Sequence, residues 1–269
     1  MARYTINDVE YPGVTTVLGL LDKSAPLMGW ATGCMEKYII DKIEKNQNCM
    51  PMDIIKIVNE ARFNYKEVSK EALDVGSTVH KMIEEYVKAK IQGVDFDWKG
   101  KYKPEVENGY LAFLEWEKKN VVKYLESEQT ICSLNYGYAG TLDIIARLTD
   151  RGIYCIDLKA SKGFYDGYGK QVISYASARQ EVQLKPFTMK ILFKNEEETR
   201  DYVMTQPPVI IDGVGVLRLD KETGQPEWKD YTKNYDRKLS AFLKLLEYWY
   251  TDKSRQLKNN PFVKKYGGK

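Results

Sequence analysis

An α/β fold, with a mixed central sheet flanked by helices and a helical N-terminal part, follows from three features of the sequence. The first is a hairpin. Residues 139–148 are rich in branched apolar side chains, residues 149–152 (TDRG) form a turn signal, and residues 153–159 are a second apolar run of strand length. The second is helical periodicity through the N-terminal third. The third is a return to strand character after a helix bearing Gln171 and Tyr175. Residues 186–193 and 199–206 are expected to extend the sheet around an acidic turn at 195–198.

From the N-terminus, residues 14–21 form an apolar stretch, and Pro26 opens a helix that includes Trp30, Met35, Tyr38 and Ile39. Residues 46–50 (NQNCM) separate it from a helix over 51–68 that starts at Pro51. A third helix spans 76–92 and puts His80 and Glu84 one turn apart on one face. Residues 93–104 are a polar connector with Trp98 and a cluster over Lys99–Lys103, and they divide a helical region, 1–104, from a core, 105–269. Residues 105–119 are an amphipathic helix whose Tyr110, Phe113, Leu114 and Trp116 belong in a core. Pro207 and Pro208 end the last sheet-extending strand. Residues 210–219 (IIDGVGVLRL) are strand-like, with ETGQPE as their turn, and look like a small excursion. Residues 233–253 form a long amphipathic helix with Leu239, Phe242, Leu243, Leu246 and Trp249 on its apolar face. The tail, LKNNPFVKKYGGK, is basic and expected to be mobile, adding salt-sensitive contacts to a polyanion.

The hairpin carries the chemistry. Asp143 lies in its first strand and Asp157 near the end of its second, so pairing brings two carboxylates to one end of a sheet. Mg²⁺ takes oxygen ligands and keeps several waters, so two carboxylates and a backbone carbonyl, here that of Leu158, suit it. Such an ion activates water and stabilises charge on a phosphoryl group. Lys159, two residues after Asp157, shares its face of the strand and would sit beside the ion, near the attacking water or the phosphate. Gln171 and Tyr175, four apart on a helix, share a face and would contact metal-bound water or a nucleic-acid backbone. Metal-assisted phosphodiester cleavage is the chemistry this order suits.

The loop 161–170 (SKGFYDGYGK) interleaves Lys162, Phe164, Tyr165, Tyr168 and Lys170 with glycines directly after Lys159. Aromatic faces stack unpaired bases and lysines follow phosphates, so a single strand is expected to pass here. The segment is not a nucleotide-binding P-loop, because the position five before Gly169 is Phe164 instead of glycine.

Net charge says little: Lys+Arg number 41 and Asp+Glu 38, so affinity for nucleic acid must come from where the charges lie. The 20 tyrosines are more suggestive. No apolar run approaches a membrane span, and MARYTINDVEYPG lacks the character of a secretion signal or a mitochondrial presequence. A cytoplasmic protein is expected. Cys34, Cys49, Cys132 and Cys155 form no paired zinc motif and are expected to be free and mostly buried.

Taken together, VTTVL (14–18), GSTVHKMIE (76–84), LESEQTICSLNYGYAGTLD (125–143), IDLKAS (156–161) and QVISYA (171–176) resemble the RecB-like branch of the PD-(D/E)xK nucleases, within it the mitochondrial genome-maintenance exonuclease and its phage and bacterial relatives. The resemblance implies a restriction-endonuclease-like core. It implies His80, Asp143 and Asp157 as metal ligands and Lys159 as the catalytic lysine. It also implies an acidic residue in the strand before Asp143; Glu126 and Glu128 compete for it, and Glu128 is preferred. Some RecB-like nucleases hold an iron-sulfur cluster, but no cysteine follows the Gln171 helix, so none is expected. A Mg²⁺- or Mn²⁺-dependent DNA exonuclease acting on single-stranded ends, bacterial or phage-encoded, is the resulting expectation, with a phage recombination-type exonuclease on duplex DNA or a non-catalytic nucleic-acid-binding module as the alternatives, phage recombination or replication proteins as partners and no oligomeric state specified.

Overall fold

Two short strands open the chain in the computed structural model, which describes residues 3–46, 48–98, 100–192, 199–253, 257 and 260–266. Strands β1 (Arg3–Ile6) and β2 (Val9–Tyr11) form a hairpin whose turn residues Asn7 and Asp8 have φ of 46° and 62°. A two-residue turn with both φ positive matches the twist of antiparallel strands, and Asn and Asp tolerate that region. The N-terminal part is therefore not wholly helical, as was expected. Then follow α1 (Val14–Leu18), α2 (Ser24–Lys45), α3 (Pro51–Gln92), α4 (Pro104–Asn120), β3 (Val121–Ser133), β4 (Tyr138–Leu148), β5 (Gly152–Lys159), α5 (Asp166–Gln180), β6 (Gln183–Leu192), β7 (Thr199–Gln206), β8 (Gly213–Leu219), β9 (Pro226–Asp230), α6 (Tyr235–Tyr248) and α7 (Pro261–Tyr266).

The chain forms two units, Leu21–Thr78 and, together, Met1–Leu20 with Val79–Lys269. The division expected at residue 104 falls elsewhere because α4 packs on the end of α3: a Cβ at Gly109 would stand 3.0 Å from Val79 Cγ2. Helix α3 is continuous where helices over 51–68 and 76–92 were expected. Gly76 lies inside it, since one glycine costs a helix only about 1 kcal/mol. In the smaller unit, Tyr38 Oη donates to Glu60 Oε2 at 3.1 Å and Asn64 Nδ2 to the Cys34 carbonyl at 3.2 Å.

The larger unit contains a five-stranded sheet in the order β3-β4-β5-β8-β9 and a four-stranded sheet in the order β2-β1-β6-β7. In the first, β5 and β8 are parallel and the other pairs antiparallel, so the sheet is mixed. Two expectations are corrected here. Strand β6 pairs with β1 and β7 with β6 in the second sheet, and neither extends the central one. The strand taken for an excursion, β8, is instead the parallel neighbour of β5. All seven of its residues are buried, as in a strand covered on both faces. Its Gly213 and Gly215 leave room for the rings of Tyr154 and Trp228. The acidic turn at 195–198 lies outside the described residues.

Helix α4 covers one face of the five-stranded sheet, Trp116 stacking on Trp228 at 5.2 Å. Helix α5 covers the other, its Val172 carbonyl 4.0 Å from Cys155 Sγ. Tyr110, Phe113 and Trp116 are buried, as expected of a core face. Part of the tail expected to be mobile is the helix α7, with Phe262 buried against Gly137 and Asn260 Nδ2 donating to the Glu10 carbonyl at 2.6 Å. Cys34, Cys132 and Cys155 are buried and, with Cys49, unpaired. Among the described residues no helix is long and apolar enough to cross a membrane.

Candidate active site

Strands β4 and β5 stop pairing after Ile144 and Ile156, and the next residue on each is an aspartate, Asp143 or Asp157. The strands part there, and side chains from two other elements, α3 and β3, reach the gap. His80 on α3 places Nδ1 3.9 Å from Asp143 Oδ2. Glu128 on β3 joins them, and one ligand atom each from His80, Glu128 and Asp143 lies within 4.8 Å of the other two. Lys159 Nζ stands 2.6 Å from Asp157 Oδ2.

Glu128 reaches this point through an unusual backbone. Its φ is 48°, in mid-strand, a region that costs a residue with a side chain on the order of 1–3 kcal/mol. The rival acid, Glu126, is engaged elsewhere: Arg179 donates to it through Nε at 2.8 Å and Nη2 at 2.5 Å. Of the two glutamates, the structure brings Glu128 to the cluster.

The electrostatics are those of a site short of positive charge. Burial, with Asp143 and Glu84 nearby, pushes the Glu128 carboxyl up to about 8. Burial lifts Asp157 to about 6 against the pull of Lys159, and it raises Asp143 as well. Asp157 Oδ1 is buried and has no hydrogen-bond partner among the described residues. Burial and the Lys159 charge depress His80 to about 4, so its imidazole is neutral at pH 7 with a lone pair free to ligate. The Leu158 backbone, close by, works against that shift. One neutral imidazole, three carboxylates that resist ionisation together and an orphaned carboxylate oxygen are a donor set that fits a divalent cation. Burial alone would lower Lys159, but Asp157 and Asp143 outweigh it and raise its pKa.

Gln171 and Tyr175 share a face of α5, with Gln171 Nε2 donating to Tyr175 Oη at 3.2 Å. Tyr175 is buried, and its hydroxyl feels the charges of Asp157 and Asp143. Gly140 makes room for it: a Cβ there would stand 2.5 Å from Tyr175 Cε1. Glu84, expected to support His80, pairs with Lys88 and adds negative charge near Glu128 and Asp143. Tyr4 on β1 was not anticipated. Its hydroxyl lies near Thr141, Glu128 and Tyr175. The alternation of RYTI about an Asn-Asp turn was the available signal.

The expected nucleic-acid loop is half helix, since α5 begins at Asp166. Tyr165 is exposed and meets Tyr168 edge-on at 5.4 Å, while the Tyr168 ring lies 5.1 Å from Lys159 Nζ. Phe164 is half-buried, and Lys162 is exposed with Glu222 at 3.3 Å. Lys170 differs from expectation. One helical turn after Asp166, it is buried with its ammonium on that carboxylate and is not presented to solvent. Compared with known proteins, the sequence matches no family model, and no curated protein matches it.

Proposed function

We propose that this chain is a divalent-metal-dependent deoxyribonuclease with a PD-(D/E)xK core of the RecB-like kind, working as an exonuclease on single-stranded DNA ends. The observation that carries the reading is the convergence of His80, Glu128 and Asp143 on one point beside the Asp157–Lys159 pair. His80, Glu128, Asp143, Asp157 and the Leu158 carbonyl would hold the ion. When bound, Mg²⁺ or Mn²⁺ supplies Lewis-acid polarisation of a phosphoryl oxygen and makes water a better nucleophile.

The chain's own residues do the rest. Lys159 remains charged throughout the neutral range, so its task is to stabilise the negative charge that grows on the phosphoryl oxygens and not to accept a proton. Asp157 fixes the ammonium in place. Tyr175, held by Gln171 and by its packing on Gly140, closes the α5 side of the site and offers a hydroxyl toward substrate oxygens. Burial of the two aspartates excludes bulk water and strengthens each of these interactions.

The test is cleavage of 5′- and 3′-labelled linear single strands, a circular single strand and a blunt duplex, with Mg²⁺ or Mn²⁺, comparing wild type with Asp157→Ala. Shortening of the linear strand, survival of the circle and a dead variant are expected. A cut circle would make the enzyme an endonuclease. No cleavage under either metal would refute a nuclease and leave a binding module.

A further inference from the structure

A row of paired residues crosses the five-stranded sheet from Asp157 on β5 through Val216 on β8 to Lys229 on β9. Paired residues on neighbouring strands point to the same face, so Lys229 shares the face of Asp157, two strands or about 10 Å away. Its neighbour Trp228 points the other way, onto Trp116. Lys229 is exposed and has no carboxylate partner among the described residues. Its ammonium instead lies 5.3 Å from the Phe164 ring centroid and 5.6 Å from that of Tyr231.

Tyr231 leads back to the site. Its ring packs on Gly169, next to Tyr168: a Cβ at Gly169 would stand 2.7 Å from Tyr231 Cδ1, and the Tyr168 ring lies 5.1 Å from Lys159 Nζ. The Lys159–Tyr168 contact is thus followed toward β9 by the Tyr231 ring, the Lys229 ammonium and the Phe164 ring. The series stops at Lys238, which lies 5.4 Å from Tyr231 but is neutralised by Asp166 at 3.3 Å. The segment bearing Phe164 is held in place, since Arg218 Nη1 donates to the Ser161 carbonyl at 2.9 Å while the same guanidinium binds Asp220 and Glu227. A ring fixed before substrate arrives costs no ordering on binding.

We propose that this series is the approach track for single-stranded DNA, with bases against Phe164 and Tyr168 and a phosphate drawn to Lys229 before the strand reaches Lys159. The inference rests on the nuclease reading and adds to it a direction, toward β9, and the residues Lys229 and Tyr231. An unpaired cation beside aromatic faces is the arrangement that sequence-tolerant single-strand binding requires.

The test is binding, not turnover. The full chain carrying Asp157→Ala, which holds the oligonucleotide uncut, is titrated against labelled oligo(dT) by fluorescence anisotropy over a series of salt concentrations. Lys229→Ala is expected to weaken binding about 5- to 10-fold at low salt and to reduce the salt slope by about one, while Lys229→Arg retains both. Phe164→Ala is expected to weaken binding about tenfold with little change of slope. Should Phe164→Ala unfold early in a thermal melt, Lys229→Ala and Lys229→Glu carry the test, the latter being the weaker binder. Unchanged affinity and slope in Lys229→Ala and Lys229→Glu, with an Asp157→Ala parent that binds and a wild type that cleaves, would overturn the track and leave the nuclease reading standing. An Asp157→Ala parent that does not bind, with a wild type that does not cleave, would overturn both. Tighter binding of blunt duplex than of oligo(dT), equally sensitive to Lys229→Ala, would overturn the single-strand assignment.

Discussion

Asp143 Oδ2 accepts the backbone N–H of Leu158 at 2.7 Å. The bond joins β4 to β5 just beyond their last paired residues, Ile144 and Ile156, where a strand carbonyl would otherwise take that proton. It turns the Asp143 carboxylate toward His80 and leaves the strand ends parted. A structural hydrogen bond and a proposed ligand are thus the same side chain, and two substitutions separate the roles.

Asp143→Asn keeps an acceptor for Leu158 and removes a charge that burial and Glu84 disfavour. It is expected to be at least as stable as wild type in EDTA and inactive. Asp143→Ala leaves a buried N–H unpaired and is expected to lose about 1–3 kcal/mol. Urea melts with the labelled-strand assay check both; wild-type cleavage by the Asn variant would remove the carboxylate from the chemistry.

The pH dependence of the metal-free protein follows from the carboxylates. The Glu128 pKa is near 8 when folded, above its unfolded 4.5, so its contribution is fully present below 4.5 and is lost as pH rises through about 8. Asp157, raised to about 6, acts in the same direction. His80, lowered to about 4 from 6.5, contributes stability that is lost as pH falls from about 6.5. In EDTA the melting temperature should therefore fall between about pH 6 and pH 9. Added Mn²⁺ should raise it more at about pH 8 than at pH 6, because ligands must shed protons to bind. Mn²⁺ should support cleavage at least as well as Mg²⁺, since an imidazole ligand suits a softer ion. A Mn²⁺ shift independent of pH would count against ligation by Glu128.

Local pattern made the hairpin of Asp143 and Asp157 legible, because period-2 apolar runs and a TDRG turn decide it without distant contacts. The alternation that would have revealed β1, and with it Tyr4, is only a few residues long. The role of β8 was not legible. GVGVLRL reads as a strand, but its place beside β5 depends on the rings of Tyr154 and Trp228 over its glycines, and those contacts are non-local. Pairing of β6 with β1, some 180 residues earlier in sequence, is also beyond any window. Glu128 needed both a positive φ and the capture of Glu126 by Arg179, neither of which a sequence displays.

Gly140→Ala tests whether Tyr175 must sit where it does. The new methyl would meet Cε1 at 2.5 Å and Cδ1 at 3.1 Å of a buried ring that has no free end to swing away. A loss of about 1–3 kcal/mol is expected from overpacking, with cleavage falling further than the folded fraction does. Activity that tracks the folded fraction alone would make Gly140 a packing residue only.

The two glutamates of β3 should respond in opposite ways. Glu126 holds the buried Arg179, whose Nη1 also donates to the Pro207 carbonyl at 2.8 Å. Removing one partner of a buried pair costs about 3–5 kcal/mol, and the 20 % exposure of Glu126 reduces that, so Glu126→Gln is expected to lose about 1–3 kcal/mol and to keep its activity per folded molecule. Glu128 has the reverse balance: its charge is disfavoured and its backbone strained, so Glu128→Gln should fold as well as wild type at neutral pH and cleave poorly. Glycine adopts positive φ without a steric cost, so Glu128→Gly should exceed Glu128→Ala in stability by about 1 kcal/mol. Denaturant melts of the four variants beside single-turnover cleavage decide the matter. If Glu126→Gln is the inactive one and Glu128→Gly gains nothing over Glu128→Ala, the strain at residue 128 has no part in holding the site, and the acid must be sought in Glu126.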